Sequence, residues 1–139
     1  MDSAGFNNLD NKFDIIYKDI NSSILITGLS VKPDESFIDK VINENKVNYK
    51  VNIMHYPDEF DNIKKYNYDL VLAGHSHNGQ IALPVYGAVI TPENAKEYYK
   101  PYYKIDNTSF YISSGVGTTK FDYRFLNKPS FNLYRILKK

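Results

Sequence analysis

Apolar positions first become regular at SSILITG (22–28), a β-branched run closing on a glycine, which predicts a strand. In PDESFIDKVINEN (33–45) Phe37, Ile38, Val41 and Ile42 fall on one side at helical spacing. Acids stand in the first turn of that segment, where the helix dipole favours them. YKVNIM (49–54) predicts a second strand. PDEFDNIKKYN (57–67) predicts a second helix, with Pro57 at its first position, Asp58 and Glu59 beside the N-terminus, and Lys64 and Lys65 near the end. YDLVLAG (68–74) is apolar at consecutive positions, the pattern of a strand covered on both faces.

Strand, helix, strand, helix, strand is the alternation of parallel βαβ units joined by right-handed crossovers. Beyond Gly79 the pattern changes. QIALPV (80–85), SFYISSG (109–115) and SFNLYRIL (130–137) predict strands separated by turns, with the tyrosine-rich KEYYKPYYK (96–104) as a connection. The expected fold class is α/β, a βαβαβ unit followed by mainly antiparallel strands. At 139 residues the chain accommodates one domain, 1–139, with a real core.

Composition narrows the chemistry. Lys plus Arg number 17 against 16 for Asp plus Glu, so no charge excess specifically indicates a nucleic-acid partner. There is no cysteine, which removes disulfides, thiolate metal sites and cysteine nucleophiles and leaves imidazole and oxygen as ligands. The first residues, MDSAGFNNLDNKFDII, lack the basic flank and apolar run of a signal peptide, and no membrane segment is apparent. A cytoplasmic product is the expectation.

Three histidines carry the functional reading. His55 directly follows the second predicted strand, and His75 and His77 directly follow the third. Strands joined by one βαβ crossover run parallel, so their carboxyl ends open on one edge of the sheet, where open α/β sheets place ligand sites. Residues two apart in an extended segment share a face, so His75 and His77 are expected to point the same way, with Gly74 and Gly79 permitting the turn. Isolated histidines are commonly ordinary surface or core residues. All three of a chain's histidines at strand ends favour a metal instead.

The segments HYPDEFD (55–61), YDLVLAGHSHNGQIALP (68–84) and FYISSGVGTTKFDYRF (110–125) resemble, in that order, the second half of the calcineurin-like metallophosphoesterases. The likeness is to the bacterial phosphodiesterase branch, with its His-Asn-Pro-Asp, Gly-His-Thr-His-Gly-Gly-Gln and Tyr-Val-Ser-x-Gly-x-Gly-Thr segments. Asn78 and Tyr56 depart from that pattern without removing a ligand. The resemblance implies half of a four-layer αββα metallophosphoesterase sandwich that holds two divalent metal ions, with Mn, Fe or Zn the plausible metals. It implies that His55 and His75 bind one metal and His77 the other, and that the substrate is a phosphoester.

The family's Asp-x-His, Gly-Asp-x-x-Asp and Gly-Asn-His segments have no counterpart in these residues. Two close divalent cations repel unless a carboxylate and a hydroxide lie between them, and neutral imidazoles offset none of that charge. The resemblance therefore implies a C-terminal part of the domain, truncated or split, with little activity alone and a complementary N-terminal half-domain as partner. The intact parent could be membrane-associated. Two alternatives stand beside it: a mononuclear three-His metal hydrolase, and a non-catalytic metal-binding or interaction module.

Other motifs weigh less. SSGVGTT (113–119) has two glycines after a strand but lacks phosphate-loop spacing, and a tight β turn is the simpler reading. Arg124 could contact a phosphate bidentately or bridge carboxylates at the sheet edge. The 13 tyrosines suit packing over a sheet better than stacking on bases.

Overall fold

The computed structural model describes residues 4–83, 87–119 and 122–137. Eight strands and two α-helices follow in the order β1 (Lys12–Asp19), β2 (Ser22–Leu29), α1 (Glu35–Glu44), β3 (Tyr49–Met54), α2 (Phe60–Ile63), β4 (Leu70–Ala73), β5 (Ala82–Leu83), β6 (Gly87–Ala88), β7 (Tyr102–Ile105) and β8 (Thr108–Ile112). Six strands form one sheet in the order β1-β2-β3-β4-β8-β7, and β5 pairs with β6 separately. The β2, β3, β4 and β8 strands run parallel, with the antiparallel β1 and β7 on the two edges. The fold is mixed α/β with a mostly sheet core, as expected of half a metallophosphoesterase sandwich.

Local chemistry explains where the helices start and stop. Asp34 caps α1, its Oδ1 accepting from the Ser36 and Phe37 amides at 3.1 and 3.3 Å. The predicted helix over 57–67 is broken into a 3-10 turn at Pro57–Glu59, a single α turn, and a second 3-10 turn at Lys64–Tyr66. Asn67 ends it in the left-handed conformation at φ 51°. So short a helix is held by packing rather than by propensity.

Ile38 of α1 and Phe60 and Ile63 of α2 share one buried cluster with Leu29, Met54, Val71, Phe110 and Ile112. Both helices therefore cover the same face of the sheet. The opposite face presents Ile24, Val51, Ile53, Leu70, Leu72 and Tyr111 in matched register. Ile53 there is 43% exposed.

Asp58 does more than complement a helix end. Its two carboxylate oxygens accept from the amides of Lys96, Glu97 and Tyr98 at 2.8 to 3.1 Å, tying the tyrosine-rich segment to α2. The Tyr98 hydroxyl donates to Asp61 at 3.1 Å. Burial, together with that carboxylate, pushes the phenol up to about 12 from its ordinary 10.0. A folded value above the unfolded one gives stability that is complete below the unfolded pKa and lost as pH rises through the folded one. The urea midpoint is accordingly expected to fall between pH 10 and about 12, and Tyr98→Phe to remove part of that fall.

Three expectations need correction. Residues 12–19, where no element was expected, form edge strand β1. The connection over 96–104 contains the start of β7. The strand expected at 130–137 is absent, and β1 and β7 already hold the sheet edges. Tyr134 instead lays its ring on Tyr111, with centroids 5.1 Å apart, on a sheet face where no backbone ladder can form. Of the strand expected at 80–85, Ala82–Leu83 is present and residues 84–86 lie outside the described residues. The strands beyond Gly79 are antiparallel in their own pairs, but β8 joins β4 in parallel.

Candidate metal centre

Because β3 and β4 are adjacent and parallel, with Val51 opposite Leu70 and Ile53 opposite Leu72, their carboxyl ends share one rim. His55 leaves the first strand and His75 the second. Their rings meet there, with His55 Nε2 and His75 Nδ1 3.1 Å apart and centroids at 4.8 Å. Tyr56 closes on both rings, at 5.2 Å from His55 and 4.6 Å from His75.

Hydrogen bonding fixes the protons. The second nitrogen of His75, Nε2, lies 2.7 Å from the Glu93 carbonyl, which can only accept, so Nε2 carries the proton and Nδ1 offers its lone pair. A backbone carbonyl orienting an imidazole in this way is the usual support of a metal-ligating histidine. Facing that lone pair, His55 Nε2 carries the proton in the cation-free contact, so ligating from it requires the proton to sit on Nδ1 instead. Burial lowers the His55 pKa, and the neighbouring His75 and His77 lower it further, which favours the neutral ring a cation needs.

His77 has a different surrounding. The loop after β4 leaves the extended conformation: His75, His77, Asn78 and Gln80 all have positive φ, at 64°, 47°, 51° and 47°. Face sharing between residues two apart holds for extended backbone only, so the two rings of this loop find separate partners. His77 Nδ1 lies 3.1 Å from an Arg124 guanidinium nitrogen, and a Cβ added at Gly115 would stand 3.7 Å from the same Nδ1. Burial lowers its pKa first and Arg124 second, with the Ser114 carbonyl opposing.

Left-handed backbone at non-glycine residues costs about 1–3 kcal/mol each, and such conformations persist only where contacts over-determine them. The contacts are present. The Asn127 side chain donates to the His77 carbonyl. Ser76 accepts from the Asn78 amide at 3.0 Å. Gln80 donates to the Tyr123 carbonyl at 2.8 Å and accepts from the Thr119 amide at 2.9 Å. At Gly79, with φ 77°, an added Cβ would stand 2.2 Å from that of Ala88, so only glycine fits.

The residues fit a cation in part. Nitrogens 3.1 Å apart can each stand about 2.0–2.1 Å from one ion, the distance of imidazole ligands to zinc. Among the described residues, however, no group of three or more His, Cys, Asp or Glu gathers closely enough to hold a metal ion. The acids after His55 are engaged elsewhere: Asp58 on backbone amides, Asp61 with Lys64 and Tyr98, Glu59 with Asn62. The rings of His55 and His75 thus meet at the rim, and His77 is placed against Arg124.

Arg124, Asn127 and Gln80 support this rim without having been singled out as site residues. Among the described residues Arg124 donates to the carbonyls of Ser114, Gly115 and Gly117 and stands against His77. Its spacing of 47 residues from His77 leaves no local signal.

The site is therefore two imidazoles that meet at the carboxyl rim of a parallel sheet in an α/β fold. Among curated proteins, the chain is 36% identical over 88 residues to an uncharacterized metallophosphoesterase, YkuE, of Bacillus subtilis (strain 168), a match over 63% of this chain and 31% of that protein. It is 30% identical over 66 residues to the phosphodiesterase YaeI of Escherichia coli (strain K12), over 48% of this chain and 24% of that protein. The chain therefore spans less than a third of the length of either relative. No family model and no solved structure matches it. These similarities support a partial match to the calcineurin-like metallophosphoesterase family, of its C-terminal part. No helix among the described residues is long and apolar enough to cross a membrane.

Proposed function

We propose that this chain is part of a metal-dependent phosphoester hydrolase, in which His55 and His75 hold one divalent cation and His77 contributes to a second. The observation that carries this reading is the meeting of His55 Nε2 and His75 Nδ1, 3.1 Å apart at neighbouring strand ends. The printed names of the two relatives, a metallophosphoesterase and a phosphodiesterase, support it.

The chemistry supplied by bound cations of this kind is activation of water for attack on phosphorus and neutralisation of charge on the phosphoryl oxygens. The chain's own residues set the stage for it. The Glu93 carbonyl holds His75 in the ligating tautomer, and the strained loop fixes where His77 begins. Beside His77 a cavity of about 480 Å³, lined by Ile81, Ile90, Pro92, Lys96 and Thr119 among others, offers room for the ester group of a substrate.

Three imidazoles bring no negative charge to balance two dications, so the remaining ligands come from outside this rim, in a complementary half-domain. The half-exposed sheet face around Ile53 is the surface such a partner would cover. Alone, the chain is expected to bind about one equivalent of manganese or zinc. It should hydrolyse bis(p-nitrophenyl) phosphate far below the roughly 1–10³ s⁻¹ of ordinary enzymes. Equilibrium dialysis and an absorbance assay read both. Absence of bound metal would remove the metal reading, and turnover at ordinary rates would remove the need for further ligands.

A further inference from the structure

The cavity of about 480 Å³ has apolar walls and few charged groups. The β5–β6 hairpin builds the apolar side. The Val89 amide donates to the Ile81 carbonyl at 2.9 Å, and a Cβ added at Gly79 would stand 2.2 Å from that of Ala88 and 3.2 Å from the Ile90 carbonyl oxygen. The hairpin is thus seated on the loop after β4, with Ile81 and Ile90 lining the cavity. Ile90 stands 62% exposed there, and Val89 next to it 52%. Water wets apolar surface inside a space of the size that takes small molecules, so an apolar ligand gains by displacing it.

The charged side adjoins the paired imidazoles. Glu93 meets His75 through its carbonyl at 2.7 Å, and the Lys96 amide donates to Asp58 at 2.8 Å. The exposed Lys96 joins no ion pair among the described residues. Arg124, 3.1 Å from His77, adds a second positive charge beside that ring. Among the described lining residues Glu93 is the one acid, and the nearby Asp58 is occupied by three amides. An anion is favoured on this side, and apolar matter on the hairpin side. We infer that the cavity selects phosphoesters whose ester group is apolar, an aryl ring or a short alkyl chain, with Ile90 as the specificity-determining contact and Lys96 toward the phosphate. The inference deepens the phosphoester reading proposed above and rests on it.

Amide proton–nitrogen spectra of the whole chain, with no metal added, test it against three probes: diphenyl phosphate, dimethyl phosphate and phenol. The first two carry the same single negative charge and differ in apolar area, and the third is the ring without the phosphate. Diphenyl phosphate is expected to shift the amides of Gly79, Ile81, Ile90 and Thr119 and to bind at least about tenfold more tightly than either other probe. That ratio is less than full burial of one aromatic ring supplies. Ile90→Ser should remove most of the advantage and leave the affinity for dimethyl phosphate unchanged. So exposed a side chain contributes little to folding, which keeps the variant usable. Lys96→Gln should weaken both phosphodiesters alike.

Equal affinities for diphenyl and dimethyl phosphate overturn the apolar selection. So does a diphenyl phosphate that shifts only amides of the open sheet face around Ile53, and so does an Ile90→Ser chain that keeps the full preference. Silence from all three probes overturns it as well. If phenol binds as tightly as diphenyl phosphate and Lys96→Gln changes nothing, the cavity ignores phosphate. The inference then falls because the phosphoester reading has failed, a result distinct from the others.

Discussion

Replacing His75 by asparagine is expected to lower the affinity of the chain for zinc by about a hundredfold or more while leaving its folding intact. Loss of an outer supporting group alone typically costs 10–100-fold at a metal site, and His75 supplies the ligating nitrogen itself. His55 would be left as a lone imidazole, and the Glu93 carbonyl would have no ring to orient. Asparagine is the suitable replacement because residue 75 has φ 64°, a conformation that asparagine tolerates and alanine does not. Calorimetric titration with zinc reads the affinity, and circular dichroism reads the fold. A variant that binds zinc as tightly as the wild type would mean that the His55–His75 contact is a plain hydrogen bond.

The second large effect concerns stability. Phe60→Ala is expected to cost about 3–5 kcal/mol, the range for truncating a buried aromatic. Phe60 is 1% exposed, stacked on Phe110 with centroids 4.9 Å apart and edge-on to Tyr98 at 5.5 Å. It is the side chain through which the four-residue α2 grips both β8 and the tyrosine-rich segment. Since small domains are stable by only about 5–15 kcal/mol, much of the margin would go. Urea unfolding measures it; a loss under about 1 kcal/mol would show that the single helical turn is held by its termini and not by this ring.

How much was legible in the sequence follows from what each signal depends on. The central strands and α1 rest on continuous or helically spaced apolar residues facing a core, and Ser22–Leu29, Tyr49–Met54 and Leu70–Ala73 lie where those patterns put them. Edge strands carry no such mark. β1 is half-buried only at Ile15 and otherwise exposed, so KFDIIYKD has no buried face to announce it. In β7 only Tyr103 and Ile105 turn inward, an alternation too short to separate from the tyrosines around it. Conversely, 130–137 reads as a strand because it is apolar, yet Phe131, Leu133 and Leu137 stand exposed and, of its aromatic and aliphatic side chains, only Tyr134 is partly buried, its ring on Tyr111.

The rim divides in the same way. That His55 and His75 approach each other follows from strand order, which alternation along the chain reveals. That His77 faces Arg124 follows from four left-handed residues in one loop and from a contact 47 residues away, neither of which any residue pattern encodes.

X-ray absorption at the zinc edge of the loaded chain examines the paired imidazoles themselves. Two histidine nitrogens at about 2.0–2.1 Å are predicted for the wild type, and one for the His75→Asn chain. A coordination sphere of oxygen alone, or the same two nitrogens after His75 is removed, would contradict the assignment of His55 and His75 as joint ligands.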